Sequence, residues 1–554
     1  MSAQPTRRAV IAGAGAATAL TALPATTAHA SPTPPGTDDT LPTERLAHAK
    51  HWLAVPEVFR APKKIASHTD VIVIGTGFGG SVAALRLGRA GATVAMLERG
   101  SRWPRDPWRR IHPGDMVLDG RGIWHKRSFT NLAGIPQPVD RFGGVLDDTT
   151  YEHLRVWRGA AVGGGSIVFT GVLLEPPNEY FEHLFGDTVS QTEMHRTWYP
   201  RARRMLRASP MPREIYNSAP FGHSRRWDAN VRAAGYTPEP LDGIWDWDVV
   251  RAELQGRSRR SATIGESNYG NANGAKWDLT LNYLPQAEAT GRVTVHHWHV
   301  VDRIGQDARG RYTVDLRVVD PTGDVLESRT VTCDRLVLGA GSIGTSELLV
   351  RARSEGTLPR LDDSVGEGFG TNGDAAMVQF ISLSKGLAQG SPSASTILDR
   401  GLDMPARMEN WYALGVQVNA GIIGSLGMVM DPQRARFVHS AAKDDVIVDW
   451  PEDGNKATEE VLREMQNKVA EAAGVGVGAP VLGVPDVGTS FTAHPLGGAV
   501  IGRSTDAYGR VKGHPGLYVM DGAGIPGSTG TANPSLTITA LAERNIAKII
   551  ADGR

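Results

Sequence analysis

The strongest chemical signal in the chain is a glycine-rich turn, Gly-Thr-Gly-Phe-Gly-Gly, at residues 75–80. Glycines at the first, third and sixth positions of such a turn permit a tight bend, the approach of a pyrophosphate to the backbone, and close packing of a helix on a strand. These roles fall to Gly75, Gly77 and Gly80. Glu98 lies about 20 residues further on, where an acid can accept hydrogen bonds from ribose hydroxyls. The spacing predicts a dinucleotide site.

Such a turn needs a strand before it and a helix after it. Residues 71–74 are apolar and β-branched, which is typical of a buried parallel strand, and residues 81–90 carry apolar side chains at helical spacing. A second strand is predicted at 92–97, directly before Glu98. This β-α-β unit aims the positive end of the helix at the pyrophosphate. It does not distinguish FAD from NAD, because both carry the same ADP moiety.

A second group of glycines, between residues 158 and 176, indicates where the backbone contacts a flat ligand. It contains Gly159, the run 163–165 and Gly171. Backbone amides can approach a flavin at such positions because no side chain intervenes. The alternative interpretation is a mobile surface loop.

Two further strand–turn–helix or strand–helix segments complete the predicted nucleotide fold. An apolar strand at 335–338 leads into a glycine turn and a helix at 343–351. Near the C-terminus, a strand at 517–520 is followed by a helix at 536–549. The fold class is therefore α/β, with a Rossmann-like domain assembled from discontinuous segments.

Charge and cysteine content exclude several classes of function. The 554-residue chain has 59 basic and 59 acidic side chains, so no net field attracts nucleic acid. The single cysteine, Cys333, can form neither an intramolecular disulfide nor a cysteine-based metal site. A strand predicted at 293–301 carries His296, His297 and His299, of which only the last two share a face, so we expect no metal. Beyond residue 30, no stretch approaches the roughly 20 apolar residues of an integral membrane segment.

The first 30 residues are typical of an export signal. Arg7 and Arg8 precede an apolar, alanine-rich stretch, and residues 28–30 match the A-x-A cleavage pattern. The paired arginines favour the twin-arginine route, which carries folded proteins and suits a cofactor loaded before export. An ordinary secretory signal is the alternative. Residues 31–45 predict a flexible linker, and we expect the mature protein to be secreted.

Taken together, these segments resemble the glucose–methanol–choline (GMC) oxidoreductases, and in particular the bacterial FAD-dependent cholesterol oxidases among them. The resemblance extends from about residue 71 to residue 549. It rests on five blocks that occur in the family's order: residues 162–166, 338–342, 347–353, 494–498 and 533–545.

The resemblance implies a cofactor and a domain organisation. It implies noncovalently bound FAD in a domain formed by residues 66–180, 283–378 and 486–554. A substrate-binding domain with a mainly antiparallel sheet is expected from 181–282 and 379–485. Besides the first glycine turn, the implied contacts with FAD are Phe78, Gly79, Glu98, Gly164, Gly165, Thr170, Gly171, Val172, Val301, Asp521, Gly522 and Ser535.

The resemblance also implies that His494 and Asn533 form the catalytic pair. Oxidation of an alcohol requires removal of the hydroxyl proton and transfer of a hydride from the same carbon to flavin N5. His494 is a suitable base, and the Asn533 amide can fix the substrate oxygen because it offers both a donor and an acceptor. The alternative interpretation of a lone histidine is a structural residue.

Three positions depart from the cholesterol oxidase pattern. The acid with which those enzymes shift a steroid double bond aligns with Gln417, which cannot act as a base, so we expect no isomerisation. Glu409 is the alternative candidate for that acid. Phe169 replaces an asparagine beneath the flavin, and Ser535 replaces an aromatic residue. One residue is inserted at 531–532, so we expect altered geometry at the flavin.

Apolar residues in the substrate-binding segments indicate a bulky, apolar alcohol. Met404, Met408, Met428 and Met430 can line an adaptable cavity or fill a core. We expect a monomer that oxidises a secondary hydroxyl of a sterol-like substrate to a ketone, with O2 as electron acceptor and H2O2 as product. The alternatives are a dehydrogenase with a non-oxygen acceptor and another natural-product alcohol, and a catalytically silent flavin- or sterol-binding protein.

Overall fold

The computed structural model of the chain describes residues 42–114, 117–130, 136–380, 389–413, 421–477 and 490–553. Contacts divide the chain into two units, with the division after residue 49. In the first unit, residues 42–49 begin helix α1 (Pro42–Ala54). The predicted export signal at 1–30 and most of the predicted linker at 31–45 lie outside the described residues.

The helices of the described part of the chain follow α1 in order. They are α2 (Phe78–Arg89), α3 (Asn178–Phe185), α4 (Gln191–Glu193), α5 (Tyr199–Leu206), α6 (Arg213–Tyr216), α7 (Gly222–Ala233), α8 (Trp247–Leu254), α9 (Tyr283–Glu288), α10 (Gly341–Ser354), α11 (Lys456–Ala473) and α12 (Pro534–Ala551). Among the described residues, no helix has the length and apolar character needed to span a bilayer.

The strands fall into several sheets. In chain order they are β1 (His68–Ile74), β2 (Val94–Leu97), β3 (Ser128–Thr130), β4 (Pro136–Pro138), β5 (Leu146–Thr150), β6 (Leu154–Gly159), β7 (Ser209–Pro210), β8 (Glu239–Pro240), β9 (Asp242–Gly243), β10 (Val293–His296), β11 (His299–Gln306), β12 (Tyr312–Val319), β13 (Val325–Leu338), β14 (Glu367–Phe369), β15 (Asp374–Phe380), β16 (Ser395–Asp399), β17 (Ala406–Trp411), β18 (Ile422–Val429), β19 (Ala435–Ser440), β20 (Asp445–Val448), β21 (Gly476–Val477), β22 (Ser490–Thr492) and β23 (Leu517–Val519).

A seven-stranded sheet contains the predicted nucleotide fold. Its order is β10-β2-β1-β13-β12-β11, and β23 also pairs with β13. The pairs β10–β2, β2–β1, β1–β13 and β13–β23 are parallel, whereas β12 runs antiparallel to both of its neighbours. Strands from widely separated parts of the chain therefore form one sheet, which confirms the predicted α/β class and the discontinuous assembly.

Both faces of β1 are buried, as expected for a parallel strand between two layers. Val71 and Val73 pack in one core with residues of α2 and α12, such as Val82. Ile72 and Ile74 pack in a second core that includes residues of α10. Apolar residues at every position of the strand therefore hold helices on both sides of the sheet.

The structure corrects the single strand predicted at 293–301. Strand β10 ends at His296 and β11 begins at His299. Trp298, between them, has a left-handed φ of 61°, and its buried indole stacks on Trp124 at 5.8 Å. His297 and His299 therefore do not share one regular strand. Within the described ranges, no group of three His, Cys, Asp or Glu side chains could hold a metal ion.

A six-stranded sheet, in the order β21-β15-β18-β17-β16-β8, confirms the predicted antiparallel sheet. One face packs on α7 and α11 through a core that contains Trp227, Leu462 and Met408. Met408 therefore fills the core. The alternate positions on β17 and β18 carry Glu409 and Leu426, which are cross-strand partners on the other face.

The domain boundaries given above remain a prediction.

Candidate active site

Three turns pack backbone against backbone where strands of the seven-stranded sheet end. Gly75, after β1, has a φ of 93°, and a Cβ there would lie 2.3 Å from the carbonyl oxygen of Gly339, after β13. A Cβ on Gly79 would lie 1.4 Å from the carbonyl oxygen of Met520, after β23. Glycine is needed at both positions so that the three turns can meet at the N-terminus of α2.

A cavity of about 1050 Å³ opens over these turns. Gly80 and Gly171 do not line it, since Gly80 packs on the Gly75 carbonyl group and Gly171 packs on the Trp245 ring. The other predicted cofactor contacts all line the cavity: Gly75, Gly77, Phe78, Gly79, Glu98, Gly164, Gly165, Thr170, Val172, Val301, Asp521, Gly522 and Ser535.

Glu98 directly follows β2 and is 5% exposed. Its Oε2 accepts hydrogen bonds from Thr76 Oγ1 at 2.6 Å and from the Thr76 amide at 3.2 Å, while Oε1 accepts one from the Gly100 amide at 3.0 Å. Burial raises the pKa of Glu98, and these hydrogen bonds oppose that rise. A carboxylate accepts about four hydrogen bonds, so Glu98 is held in place and retains capacity for a ribose hydroxyl.

Asp521 connects two of the turns. Its Oδ2 accepts hydrogen bonds from the Gly341 amide at 2.8 Å and from Thr345 Oγ1 at 2.6 Å. Burial raises the pKa of Asp521 to about 6 against these hydrogen bonds. A Cβ on Gly165 would meet no atom within 4 Å, so the middle of the cavity is open to a flat ring. The glycine turns, the two acids and this open region fit FAD.

Sequence reasoning missed two arginines that line the cavity. Arg99 Nη1 donates to Asp147 Oδ2 at 2.7 Å, and Arg158 Nε donates to the same oxygen at 2.9 Å. Arg99 brings positive charge close to Glu98, where an anionic cofactor would benefit from it. Arg99 follows Glu98 in the sequence, whereas the approach of Arg158 depends on the pairing of β5 with β6.

His494 lines the far part of the cavity, just after β22, and is fixed by Asp374 at the start of β15. Asp374 Oδ1 lies 2.8 Å from His494 Nδ1, and Oδ2 accepts hydrogen bonds from Thr492 Oγ1, the Ala493 amide and the His494 amide. Burial lowers the pKa of His494, but the charge and hydrogen bond of Asp374 outweigh it and hold that pKa above its ordinary value. When Nδ1–H donates to Asp374, Nε2 is the acceptor.

Asn533 lines the same part of the cavity, immediately before α12. Its Nδ2 donates to Glu409 Oε2 at 3.4 Å. Burial raises the pKa of Glu409 to about 7, against the opposing charges of Arg407 and His494. Glu409 Oε1 and Asn533 Oδ1 are buried and have no hydrogen-bond partner in the described part of the chain. His494, Asn533 and Glu409 therefore form one polar cluster.

The carboxyl group beside Asn533 is that of Glu409. In the sequence, Glu409 was the alternative to Gln417 for the position of the acid that shifts a double bond. Gln417 lies outside the described residues. The contact between Asn533 and Glu409 joins residues 124 positions apart, so no local sequence signal could identify it.

The other two departures from the cholesterol oxidase pattern also lie at the cavity. Phe169 packs edge-on against Phe78, with ring centroids 5.5 Å apart, and its carbonyl oxygen accepts a hydrogen bond from the buried Lys276 Nζ at 2.7 Å. Ser535 lines the cavity in the first turn of α12. Thr531, at the inserted position, has a left-handed φ of 61°.

Several other residues that line the cavity are large and apolar. The apolar lining includes Trp157, Val168, Trp411, Leu426, Phe491 and Ile538. Large rings and branched side chains around a few polar groups are typical of a site for a bulky, largely apolar ligand.

Comparisons with known proteins identify the family that this chain matches. Two family models described as GMC oxidoreductase match the chain, one over residues 10–355 and the other over residues 441–542. A cholesterol oxidase of Acinetobacter baumannii is 27% identical over 543 residues, which cover 87% of this chain and 94% of that protein. A cholesterol oxidase of Mycobacterium tuberculosis (strain H37Rv) is 27% identical over 567 residues, which cover 86% of this chain and 90% of that protein.

Two solved structures share the fold. Pyridoxine 4-oxidase from Mesorbium loti superposes with a TM-score of 0.56 at 16% identity, covering 87% of this chain and 99% of that one. A fungal aryl-alcohol oxidase superposes with a TM-score of 0.58 at 13% identity, covering 88% of this chain and 100% of that one.

Proposed function

The chain belongs to the GMC oxidoreductase family, a family of FAD-dependent enzymes that act on alcohols, and we propose that it is a secreted alcohol oxidase. In this proposal it oxidises a secondary hydroxyl of a bulky, sterol-like substrate to a ketone. The observation that carries the proposal is the cluster of His494 and Asn533 in the same cavity as the dinucleotide turn.

Each polar group of the cluster has a distinct task. Asp374 holds the Nδ1–H tautomer of His494, so that Nε2 can accept the hydroxyl proton of the substrate. Asn533 binds the substrate oxygen and orients the carbon that loses a hydride. FAD, when bound, would supply the hydride acceptor and, in its reduced form, the two electrons that convert O2 to H2O2.

The proposal of a sterol-like substrate rests on two observations. Trp411, Leu426 and Phe491 give the cavity wall an apolar character that suits a ring skeleton. Two of the relatives are cholesterol oxidases at 27% identity.

Glu409 favours a second activity, the shift of a nearby double bond into conjugation with the new ketone. Such a shift needs a base that removes a proton from carbon and returns it to another carbon. A carboxyl group with a pKa near 7 is well suited to both steps at neutral pH. This activity applies only to substrates whose double bond is separated from the oxidised carbon by one carbon, which is the carbon that loses the proton.

The test is anaerobic addition of candidate alcohols to the FAD-loaded protein while the flavin band near about 450 nm is monitored. Sterols, polyketide-like alcohols and sugars form the panel, and we expect a sterol-like secondary alcohol to bleach the flavin. Bleaching by none of them would contradict oxidation and indicate a binding protein.

Oxygen use needs a separate measurement. Turnover under air should consume O2 and release H2O2, whereas turnover under nitrogen should require an artificial electron acceptor. Turnover that consumes no O2 would indicate a dehydrogenase instead.

A further inference from the structure

One polar side chain of the cavity wall has neither a task in the proposed reaction nor a protein partner. Asn268 lines the cavity and is 5% exposed. Its amide makes no hydrogen bond with any residue that the structure describes. The amide is also not among the fully enclosed polar atoms, so the surface that it retains faces the cavity. Asn268 therefore offers a donor and an acceptor to a bound ligand.

A well-anchored turn holds Asn268 in this position. The carbonyl oxygen of Ser267 accepts a hydrogen bond from the Gly270 amide at 3.1 Å, which makes Asn268 a central residue of a β-turn. Ser267 Oγ donates to the carbonyl oxygen of Phe169, another residue of the cavity wall, at 2.8 Å. A Cβ on Gly270 would lie 2.4 Å from the His112 ring, so the other end of the turn is tightly packed as well. An amide presented by such a turn loses little freedom when it binds a ligand.

The turn belongs to the apolar side of the cavity. Tyr269, the other central residue of the turn, is buried in the hydrophobic core that also contains the cavity-lining rings of Trp157 and Phe491. The Tyr269 ring packs edge-on against Phe129, with centroids 6.2 Å apart, and Phe129 lies 6.0 Å from Trp157. Trp157 packs edge-on against Phe491 at 5.2 Å, three residues before His494. Packed aromatic rings therefore join the turn to the segment that carries His494.

Two other buried polar side chains of the cavity wall, Thr170 and Ser535, also make no side-chain hydrogen bond within the described ranges. The family resemblance implies contacts with FAD for both of them. It implies no such contact for Asn268. Of these three side chains, Asn268 is the one that remains for the substrate.

A ligand that fills the cavity decides whether the Asn268 amide is satisfied. Water can pair with the amide while the cavity is open. A bulky apolar ligand removes that water, and an amide buried without a hydrogen bond then lowers the affinity for the ligand roughly tenfold or more. A ligand oxygen placed at Asn268 restores the hydrogen bond. The site consequently discriminates against analogues that lack this oxygen.

We propose that Asn268 binds a second oxygen atom of the substrate, apart from the hydroxyl that is oxidised. The preferred substrate is then a sterol-like secondary alcohol whose apolar body carries another ketone or hydroxyl group. Asn268 suits either group, because its amide can donate to a ketone and accept from a hydroxyl. The inference rests on the proposed function and deepens it, since it names the substrate class of the same site.

The test measures how the FAD-loaded protein binds steroid ketones, which carry no hydroxyl to be oxidised. Androstenone has one ketone, whereas androstenedione, progesterone and adrenosterone carry further ketones at different positions. Each compound is titrated while the flavin absorbance is monitored. The wild type should bind at least one of the three roughly tenfold or more tightly than androstenone. In Asn268→Leu this preference should disappear, while the affinity for androstenone stays the same or rises.

Three controls isolate the role of the amide. Asn467→Leu makes the same substitution at an exposed position of α11 and should leave every affinity unchanged. Asn268→Ala removes the amide without adding a large apolar side chain and should also lose the preference. Titration of the Asn268→Leu apoprotein with FAD should give the affinity of the wild type. Circular dichroism shows whether each variant is folded.

Equal affinity of the wild type for all four ketones would overturn the proposal. A preference that persists in Asn268→Leu, or in Asn268→Ala if the first variant does not fold, would also overturn it. Weaker FAD binding in both variants would do the same, because Asn268 would then contact the cofactor. Failure of the wild type to bind even androstenone would contradict the sterol-like substrate itself, and the inference with it. Because no step requires oxidation, these results are independent of whether any alcohol bleaches the flavin.

Discussion

Asp374 makes four contacts with the segment that carries His494, three of them through Oδ2 and one through Oδ1. This arrangement sets both the position and the protonation state of the imidazole. A base that is held by a buried carboxylate keeps one tautomer and orientation, which prepares Nε2 for proton transfer.

Substitution of Asp374 by Asn tests this role. Loss of the opposite charge should lower the pKa of His494, because the charge and hydrogen bond of Asp374 are what hold it above its ordinary value. Flavin reduction needs neutral His494, so the rate of reduction should rise with pH. In the variant, this rise should occur at lower pH, because the pKa of His494 is lower. The pH dependence of anaerobic reduction measures this, and an unmoved profile would contradict the role of Asp374.

Glu409 gives a second prediction at the same scale. With a pKa of about 7, the carboxylate form becomes dominant as pH rises through 7, so any double-bond shift should accelerate in that direction. Glu409→Gln should abolish the shift, while flavin reduction by a saturated alcohol continues. Spectroscopic detection of the conjugated ketone, compared with flavin bleaching, separates the two reactions. Retention of the shift in the variant would exclude Glu409 as its base.

At the level of residues, the sequence placed His494 and Asn533 together as a catalytic pair, which stays a prediction, but it did not indicate the side chains that contact them. His494 and Asn533 occur in blocks that resemble the family, whereas Asp374 reaches His494 across 120 positions. Glu409 was only the alternative to Gln417, because the alignment of this segment contains a gap. Its contact with Asn533 joins residues 124 positions apart and depends on tertiary packing.

Among the elements, the turn at Gly164–Ile167 determines how closely the second glycine cluster approaches the dinucleotide turn. Gly164 has a φ of 53°, and a Cβ there would lie 2.7 Å from Gly77 Cα. Gly164→Ala should therefore weaken FAD binding roughly tenfold or more, since a left-handed alanine alone costs about 1–2 kcal/mol.

Gly401→Ala is the matched control, because Gly401 is not left-handed and its nearest neighbour to an added Cβ is Asp399 Oδ1 at 3.4 Å. FAD titration of the two apoproteins gives the comparison. Equal FAD affinity in Gly164→Ala and the wild type would show that the turns do not need to meet closely.

The predicted elements of the nucleotide fold agree with the structure to within a few residues at most ends. The strand predicted at 335–338 is the end of a longer strand, Val325–Leu338, whose exposed first half lacks the apolar pattern of a buried strand. The break at Trp298 could not be predicted, because it depends on tertiary packing. A Cβ on Gly143 would lie 2.2 Å from the Trp298 ring, so the indole fits only against a glycine on a distant segment.

For the whole molecule, the cavity joins turns that follow β1, β13 and β23 with side chains from β17 and the start of α12. A ligand that fills it contacts all of them, so its binding stabilises the fold as one unit. FAD at 100 times its dissociation constant should add about 2.7 kcal/mol to the free energy of unfolding.

Removal of FAD should accordingly lower the thermal unfolding temperature, and added FAD should restore it. FMN lacks the ADP moiety that is expected near Glu98, so added FMN should not restore the unfolding temperature. Acid precipitation should leave yellow FAD in the supernatant if the cofactor is noncovalent. Flavin that stays with the precipitated chain would contradict noncovalent binding.

In the proposed function, His494 is the base in flavin reduction by an alcohol. Its most direct test is stopped-flow anaerobic reduction of the wild type and His494→Gln with the alcohol that best bleaches the wild type. We expect the variant to hold FAD and to be reduced on the order of a hundredfold or more slowly. Equal rates of reduction in the two proteins would contradict the account.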